Sequence, residues 1–139
     1  MVMMLNKNGV VTMKYEDVKE AISSEFPQFE IDDLNGDLPY IVVGDFARFL
    51  LDSFNNGDIK TLSEGLDFIE KLHHSESDKT RELATVGYLE GIQNVWGNND
   101  VNPELIFDYL GTESKKWWLE LNKFWNGEIK YLGASFENK

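Results

Sequence analysis

The chain has no cysteine among its 139 residues. Disulfide bonds, thiolate metal ligands and a cysteine nucleophile are therefore excluded. Its apolar runs are only a few residues long, far below the roughly 20 that a membrane-spanning helix needs. The amino-terminal stretch MVMMLNKNG turns polar too early to be typical of a secretory signal peptide. These absences predict a cytoplasmic protein.

Basic residues are also scarce, since 13 lysines and arginines stand against 25 aspartates and glutamates, for a net charge of −12. The first 70 residues carry five basic and 14 acidic side chains, so most of the excess lies there. Such a field repels phosphate backbones and anionic lipids, so we expect neither nucleic-acid binding nor membrane binding. It attracts basic proteins, because complementary charge speeds encounter. A basic protein partner is therefore predicted.

Catalytic and cofactor motifs are lacking as well: there is no glycine-rich phosphate loop and no G-x-S-x-G nucleophile. The acidic stretch 31–42 places a glycine where an EF-hand loop has one, but Ile31 and Val42 replace its strongest calcium ligands. His73 and His74, the only histidines, are adjacent and point about 100° apart on a helix, so they cannot share a metal ion. We expect no cofactor, no metal site and no enzymatic activity.

What the chain does contain is helical periodicity, with apolar residues recurring every three or four positions. An apolar content of 42% is enough for a core, and 139 residues predict one domain that spans 1–139. The fold class is therefore all-α, with about six helices and short loops. The helices are predicted at 15–26, 39–55, 59–73 and 80–97, then after the N-cap Asn102, and finally between the N-cap Thr112 and the C-cap Gly127.

Short extended segments are predicted near both termini, where NGVVTM and EIKYLGASF alternate β-branched and aromatic residues. Within the fourth helix, Gly87 and Gly91 each cost about 1 kcal/mol relative to alanine, which favours close approach of a neighbouring backbone. Glu90 projects between Leu83 and Val86, either at the end of a cleft or in an internal pair. The alternative function depends on it: a small hydrolase or ligand-binding protein with a carboxylate-lined cleft beside this helix.

The stretch SKKWWLELNKFWNG, at 114–127, holds three of the four tryptophans and three lysines. At 100° per residue its aromatic residues and Leu121 fall within an arc of about 120°, and the lysines fall outside it. Nucleic-acid binding would interleave the two kinds of residue, so the arc predicts a core-facing helix. Trp118 and Trp125 lie at its edge. Because tryptophan is enriched at interfaces, we predict that these two are half-exposed and contact a partner.

Three segments, VGDFARFLLDSF, ATVGYLEGIQN and YLGTESKKWWLELNKFW, resemble an uncharacterised family of small, acidic, mostly helical bacterial proteins. The resemblance covers roughly residues 40–126. Relatives of that kind look like immunity partners encoded beside polymorphic toxins. The resemblance implies a cytoplasmic protein that binds and neutralises a toxin domain, with no defined site residues to carry over.

Charge and resemblance together predict a protein–protein interaction module, most concretely an immunity-like inhibitor of a basic toxin domain. Its acidic surface, around residues 30–58, is expected to supply electrostatic complementarity, with aromatic anchors beside it. The predicted partner-binding residues are Asp32, Asp33, Asp37, Asp45, Asp52, Asp58, Trp118 and Trp125. The oligomeric state does not follow from these patterns.

Overall fold

The computed structural model describes residues 13–29 and 39–137. Within these ranges the chain forms six α-helices joined by short loops and 3₁₀ turns, with no strand. The predicted all-α architecture is confirmed. The helices are α1 (Val18–Glu25), α2 (Pro39–Asn55), α3 (Ile59–His73), α4 (Asp78–Glu82), α5 (Glu90–Asn98) and α6 (Thr112–Trp125).

Helices α2 and α3 form a tightly joined pair. The turn between them places Gly57 at a φ of 75°, and the carboxylate of Asp58 then caps α3 by accepting from the Thr61 N–H. Gly65 faces the side chain of Leu50 so closely that a Cβ at this position would overlap it. The missing side chain therefore lets the two helices approach along the centre of the core.

An aromatic cluster joins α1 to this pair. The ring of Phe26, just after α1, lies 5.2 Å from Phe46 and 6.0 Å from Phe68 in edge-to-face arrangements. Phe29 adds a further edge-to-face contact with Phe46. Such pairs contribute about 0.5–1.5 kcal/mol each beyond their buried area, so they fix α1 on the α2–α3 pair.

The predicted fourth helix is one helical rod whose middle, Leu83–Leu89, is a π-helix between α4 and α5. Its buried Tyr88 faces the core, and burial raises the pKa of that phenol above its ordinary value. A Cβ on Gly91 would lie 2.9 Å from Val43 Cγ1. Close approach is thus the reason for this glycine, although a side chain rather than a backbone comes near. Trp96 donates its indole N–H to the Ala47 carbonyl, which ties α5 to α2.

Extended structure was expected over EIKYLGASF, and this prediction is wrong. The segment 128–137 consists of turns and a 3₁₀ helix, Ala134–Phe136, entered through Gly133 at a φ of 97°. The buried Glu120 carboxylate accepts from the backbone N–H groups of Gly133 and Ser135 at 2.8 and 3.1 Å. The hydrogen-bond acceptor for these two N–H groups is therefore a side chain of α6 rather than a neighbouring strand. The other predicted extended stretch, NGVVTM, lies outside the described residues except for Met13.

Across residues 13–29 and 39–137, none of the helices combines the length and apolar character needed to cross a membrane.

Candidate functional site

Three of the six predicted acidic contacts fall in the described part of the chain: Asp45, Asp52 and Asp58, all exposed. Asp45 and Asp52 are seven residues apart on α2, so they share one side of the helix, about 10 Å apart along its axis. Asp58 follows the end of α2, where its N–H donates to the Ser53 carbonyl at 2.8 Å. Its carboxylate accepts from the Thr61 N–H at 3.2 Å, so Asp58 lies at the start of α3. The other three, Asp32, Asp33 and Asp37, lie outside the described residues.

The two predicted tryptophan anchors have different surroundings. Trp118 is fully buried, and its indole N–H donates to Glu104 Oε2 at 3.0 Å. The expectation that Trp118 is half-exposed is wrong, because the 3₁₀ helix Pro103–Tyr109 packs on this part of α6 and supplies that acceptor. Trp125, the last residue of α6, is 59% exposed. Only Trp125 can therefore meet a partner without unfolding.

An open groove of about 280 Å³ runs beside Trp125. Its wall carries a chain of hydrogen bonds, in which Gln93 donates to Asn122 and Asn122 donates to Glu104, at 3.2 and 3.1 Å. Pro103 lies beside them. The groove, here called the Trp125 groove, thus offers an exposed indole next to side chains already held in place. A preorganised surface of this kind suits contact with a polypeptide.

A second cavity, of about 270 Å³, lies between the π-helix, α6 and the segment 128–137. We call it the π-helix pocket. Thr85 and Val86 line it from the π-helix, and Trp117 and Leu132 form the apolar wall opposite. Charged residues of the rod, namely Asp78, Arg81 and Glu82, line it as well. π-helical turns occur frequently at functional sites. The sequence reasoning missed this pocket, because ATVGYL carries no local signal that separates a π turn from an α turn.

A buried polar network lies behind Thr85. His73 contacts the Ser114 hydroxyl through Nδ1 at 3.0 Å and the Thr85 hydroxyl through Nε2 at 2.9 Å. Burial lowers the pKa of His73 from 6.5 to about 4, so the ring is neutral at pH 7. The backbone N–H of Ser114 donates to Glu70 Oε1 at 2.9 Å. The network therefore connects the pocket, through Thr85 and His73, to the residue whose backbone Glu70 holds.

A neutral imidazole has one N–H donor and one acceptor nitrogen, whereas a hydroxyl can donate or accept. One of the two hydroxyls therefore accepts from the ring of His73, and the other donates to it. With a pKa of about 4, His73 is a weak general base at neutral pH, which argues against an activated Thr85 nucleophile.

The neighbouring histidine lies in a different environment. His74 is exposed, and its Nε2 contacts Glu70 Oε2 at 2.7 Å. One ring is therefore buried and the other lies at the surface. Among the described residues no three histidine, aspartate or glutamate side chains are grouped closely enough to hold a metal ion.

Glu90 does not line the π-helix pocket, which lies beside the preceding turns of the rod. The side chain is partly buried, and that burial raises the pKa of its carboxyl. Val43 fills the space beside the adjacent Gly91. A cavity does lie along the rod, as the alternative function requires, but it is not built around Glu90.

Comparison with known proteins places the chain in a family. The model of a domain of unknown function (DUF7674) matches residues 18–126, which is well over half of the chain. The chain belongs to this family. The matched part contains all six helices and ends just after Trp125, whereas Leu132 of the pocket wall lies beyond it. No curated protein and no solved structure matches the chain.

Proposed function

We propose that this DUF7674 protein is a non-enzymatic interaction module that binds a basic protein partner in the cytoplasm. Its most concrete form is an immunity-like inhibitor that covers a toxin domain. The observation that carries the proposal is the exposure of Trp125, 59% of which faces solvent beside a preformed groove in a protein of net charge −12. An aromatic side chain in that position is the usual anchor of a protein interface.

Charge and anchor have separate roles in this proposal. The exposed carboxylates of Asp45, Asp52 and Asp58 add to a field that accelerates the encounter with a basic protein. Exposed charges of this kind contribute little to the final affinity, since each pair yields about 0.2–1 kcal/mol. The affinity is then expected to come from desolvation of Trp125 and of the groove around it.

The test begins with the product of the neighbouring reading frame, expressed with this protein and examined for co-purification. For a recovered partner, Trp125→Ala should raise the dissociation constant by about 30-fold or more, as expected of an interface anchor. The matched control is Leu119→Ala, which removes another exposed apolar side chain of α6, 50% exposed. It should leave the affinity within about threefold of wild type.

The charge component has its own readout. The double variant Asp45→Asn, Asp52→Asn should lower the association rate by several-fold at low salt and flatten its salt dependence, with little change in the dissociation rate. Recovery of only acidic or uncharged partners would contradict the proposal. So would a Trp125→Ala protein that binds the recovered partner as tightly as wild type.

A second candidate function, a small-molecule binding protein, is favoured by the volume of the π-helix pocket, about 270 Å³. Ligand sites usually span about 300–1,000 Å³, so the pocket is at the lower end of that range. Native mass spectrometry of the freshly purified protein tests this candidate. A stoichiometric small-molecule adduct that is lost in Val86→Phe would support it, whereas the bare chain mass would count against it.

A further inference from the structure

We propose that the π-helix pocket receives an arginine side chain of the basic partner. This inference rests on the proposed function and deepens it, since it assigns a specific contact to a pocket separate from the Trp125 groove. It concerns the chemistry of one side chain, so it can be examined without knowledge of the partner.

The pocket has the form that a long, amphipathic side chain requires. Trp117 and Leu132 provide an apolar wall against which methylene groups can pack, and Val86 extends it from the π-helix. The polar lining groups lie on the rod that faces this wall, in α4 and the π-helix. An occupant with an apolar stem and a polar head can therefore contact both surfaces.

Three of the four polar residues that line the pocket, Asp78, Glu82 and Thr85, carry acceptor oxygens. Thr85 contributes a hydroxyl oxygen that lies 2.9 Å from Nε2 of His73 and has lone pairs able to accept from an occupant. Asp78 and Glu82 contribute two carboxylates. The one cationic group among the described lining residues is Arg81, which donates to the Ser75 carbonyl at 2.6 Å and is paired with Asp78. Two of its nitrogens are thus already engaged, and the acceptors that line the pocket favour a cation rich in donors as the occupant.

The indole of Trp117 favours arginine over lysine. Phe136 packs edge-to-face against it at 4.9 Å and holds the ring in place. A planar guanidinium stacks on such a ring and presents five N–H donors, whereas an ammonium is a compact, strongly hydrated point charge.

The probe is the blocked peptide acetyl-Gly-Arg-Gly-amide, titrated into ¹⁵N-labelled full-length protein and followed by NMR. The expected result is saturable shifts at the Trp117 indole N–H and the Thr85 amide. The same peptide with citrulline in place of arginine keeps the shape and loses the charge, and it should bind at least about tenfold more weakly. Equal binding of the two peptides would overturn the proposal, as would shifts spread evenly over the acidic surface.

Two variants locate the site, and a third serves as the control. Glu82→Gln removes a carboxylate from the pocket and should weaken arginine-peptide binding about twofold to fivefold, the range for an exposed ion pair. Val86→Phe fills the cavity and should abolish the shifts at Trp117. Glu64→Gln removes an exposed carboxylate of α3 that is not among the pocket residues, and it should have no effect. Equal weakening by Glu64→Gln and Glu82→Gln would show that only overall charge matters, which contradicts a specific site.

The failure of this inference is distinguishable from failure of the proposed function. If a basic partner binds through Trp125 and neither the arginine peptide nor Val86→Phe has an effect, the pocket assignment is wrong and the interaction module stands. If the peptide binds the pocket as expected but no basic protein partner is recovered, the pocket remains and the partner proposal fails.

Discussion

The Glu70 carboxylate is the clearest single determinant of how α6 begins. It accepts from the backbone N–H groups of Glu113 and Ser114 at 3.1 and 2.9 Å, and so acts as an N-cap supplied by α3 rather than by a neighbouring residue. We expect Glu70→Ala to lower the free energy of unfolding by about 2–4 kcal/mol. Hydrogen bonds to a charged group contribute about 1.5–3 kcal/mol each, part of which water recovers in the variant.

A substitution at Gly111 tests the same capping contact from the other side. A Cβ at this position would lie within 2.6 Å of Glu70 Cγ and Oε1, so Gly111→Ala must displace the carboxylate. The φ of Gly111 is −73°, which any residue adopts, so the overlap is the main obstacle to alanine. Gly111→Ala should therefore be destabilising in the wild type and much less so in the Glu70→Ala background. Urea unfolding of the two single variants and the double variant yields the coupling energy, expected at about 1–2 kcal/mol.

The pH dependence provides a second check. Burial alone would raise the pKa of Glu70, but hydrogen bonds from Ser114, His74 and Glu113 outweigh burial and hold the pKa below 4.5. A carboxyl whose pKa is lowered on folding stabilises the protein above its unfolded pKa, and this stability is lost as the pH falls. The difference between wild type and Glu70→Ala should shrink between pH 6 and pH 3. A difference that stays constant with pH, or additive effects of Glu70→Ala and Gly111→Ala, would refute the capping role. Glu64→Ala, at an exposed site on α3, is the control and should change stability by less than about 0.5 kcal/mol.

Three further predictions concern other buried contacts. Because burial lowers the pKa of His73 from 6.5 to about 4, the unfolded state takes up a proton first as the pH falls, so His73 by itself should destabilise the wild type by roughly 3 kcal/mol between pH 7.5 and pH 4. The free energy of unfolding of His73→Gln, measured by urea titration at each pH, should lack this pH dependence. Equal slopes of stability against pH in the variant and the wild type would contradict the prediction. Trp118→Phe should lower the free energy of unfolding by about 1–3 kcal/mol through its lost hydrogen bond, whereas Trp125→Ala should change it by less than about 0.5 kcal/mol. Thermal unfolding measures both, and a larger loss for Trp125→Ala would contradict this prediction. Glu120→Ala should accelerate amide exchange in the segment 128–137 by about tenfold or more, and unchanged protection would mean that other contacts hold the segment.

The sequence was sufficient for the elements that local signals define. The predicted bounds of α2 and α3 agree with the structure, because their apolar faces are strictly periodic and Gly57 and Asp58 mark the junction between them. Asn102 caps the following turn as predicted, by accepting from the Glu104 N–H. That turn is nevertheless a 3₁₀ helix, Pro103–Tyr109.

The start of α6 was predicted one residue too late, at an N-cap Thr112, whereas Gly111 occupies the N-cap and Thr112 is already helical. The reason is physical, since the cap comes from Glu70, more than 40 residues earlier in the chain. Local sequence contains no trace of such a contact. The buried state of His73 was missed for the same reason, because its partners Ser114 and Thr85 belong to other helices.

The two tryptophans show where periodicity stops being informative. Trp118 and Trp125 lie only about 20° apart around the axis of α6, so a helical projection assigns them equal exposure. Their positions along the axis decide the outcome. Trp118 lies in the middle of the helix under the turn Pro103–Tyr109, whereas Trp125 is the last helical residue and borders an open groove. Which positions along the helix are covered depends on tertiary packing, which a helical projection does not contain.

Glu70 links the stability of α6 to the chemistry of the π-helix pocket. Its carboxylate accepts from the backbone N–H groups of Glu113 and Ser114 and so holds the first turn of α6 in place. That position puts the Ser114 hydroxyl 3.0 Å from His73, whose other ring nitrogen lies 2.9 Å from the Thr85 hydroxyl. Because Thr85 lines the pocket, the group that begins α6 also supports the polar wall of the pocket.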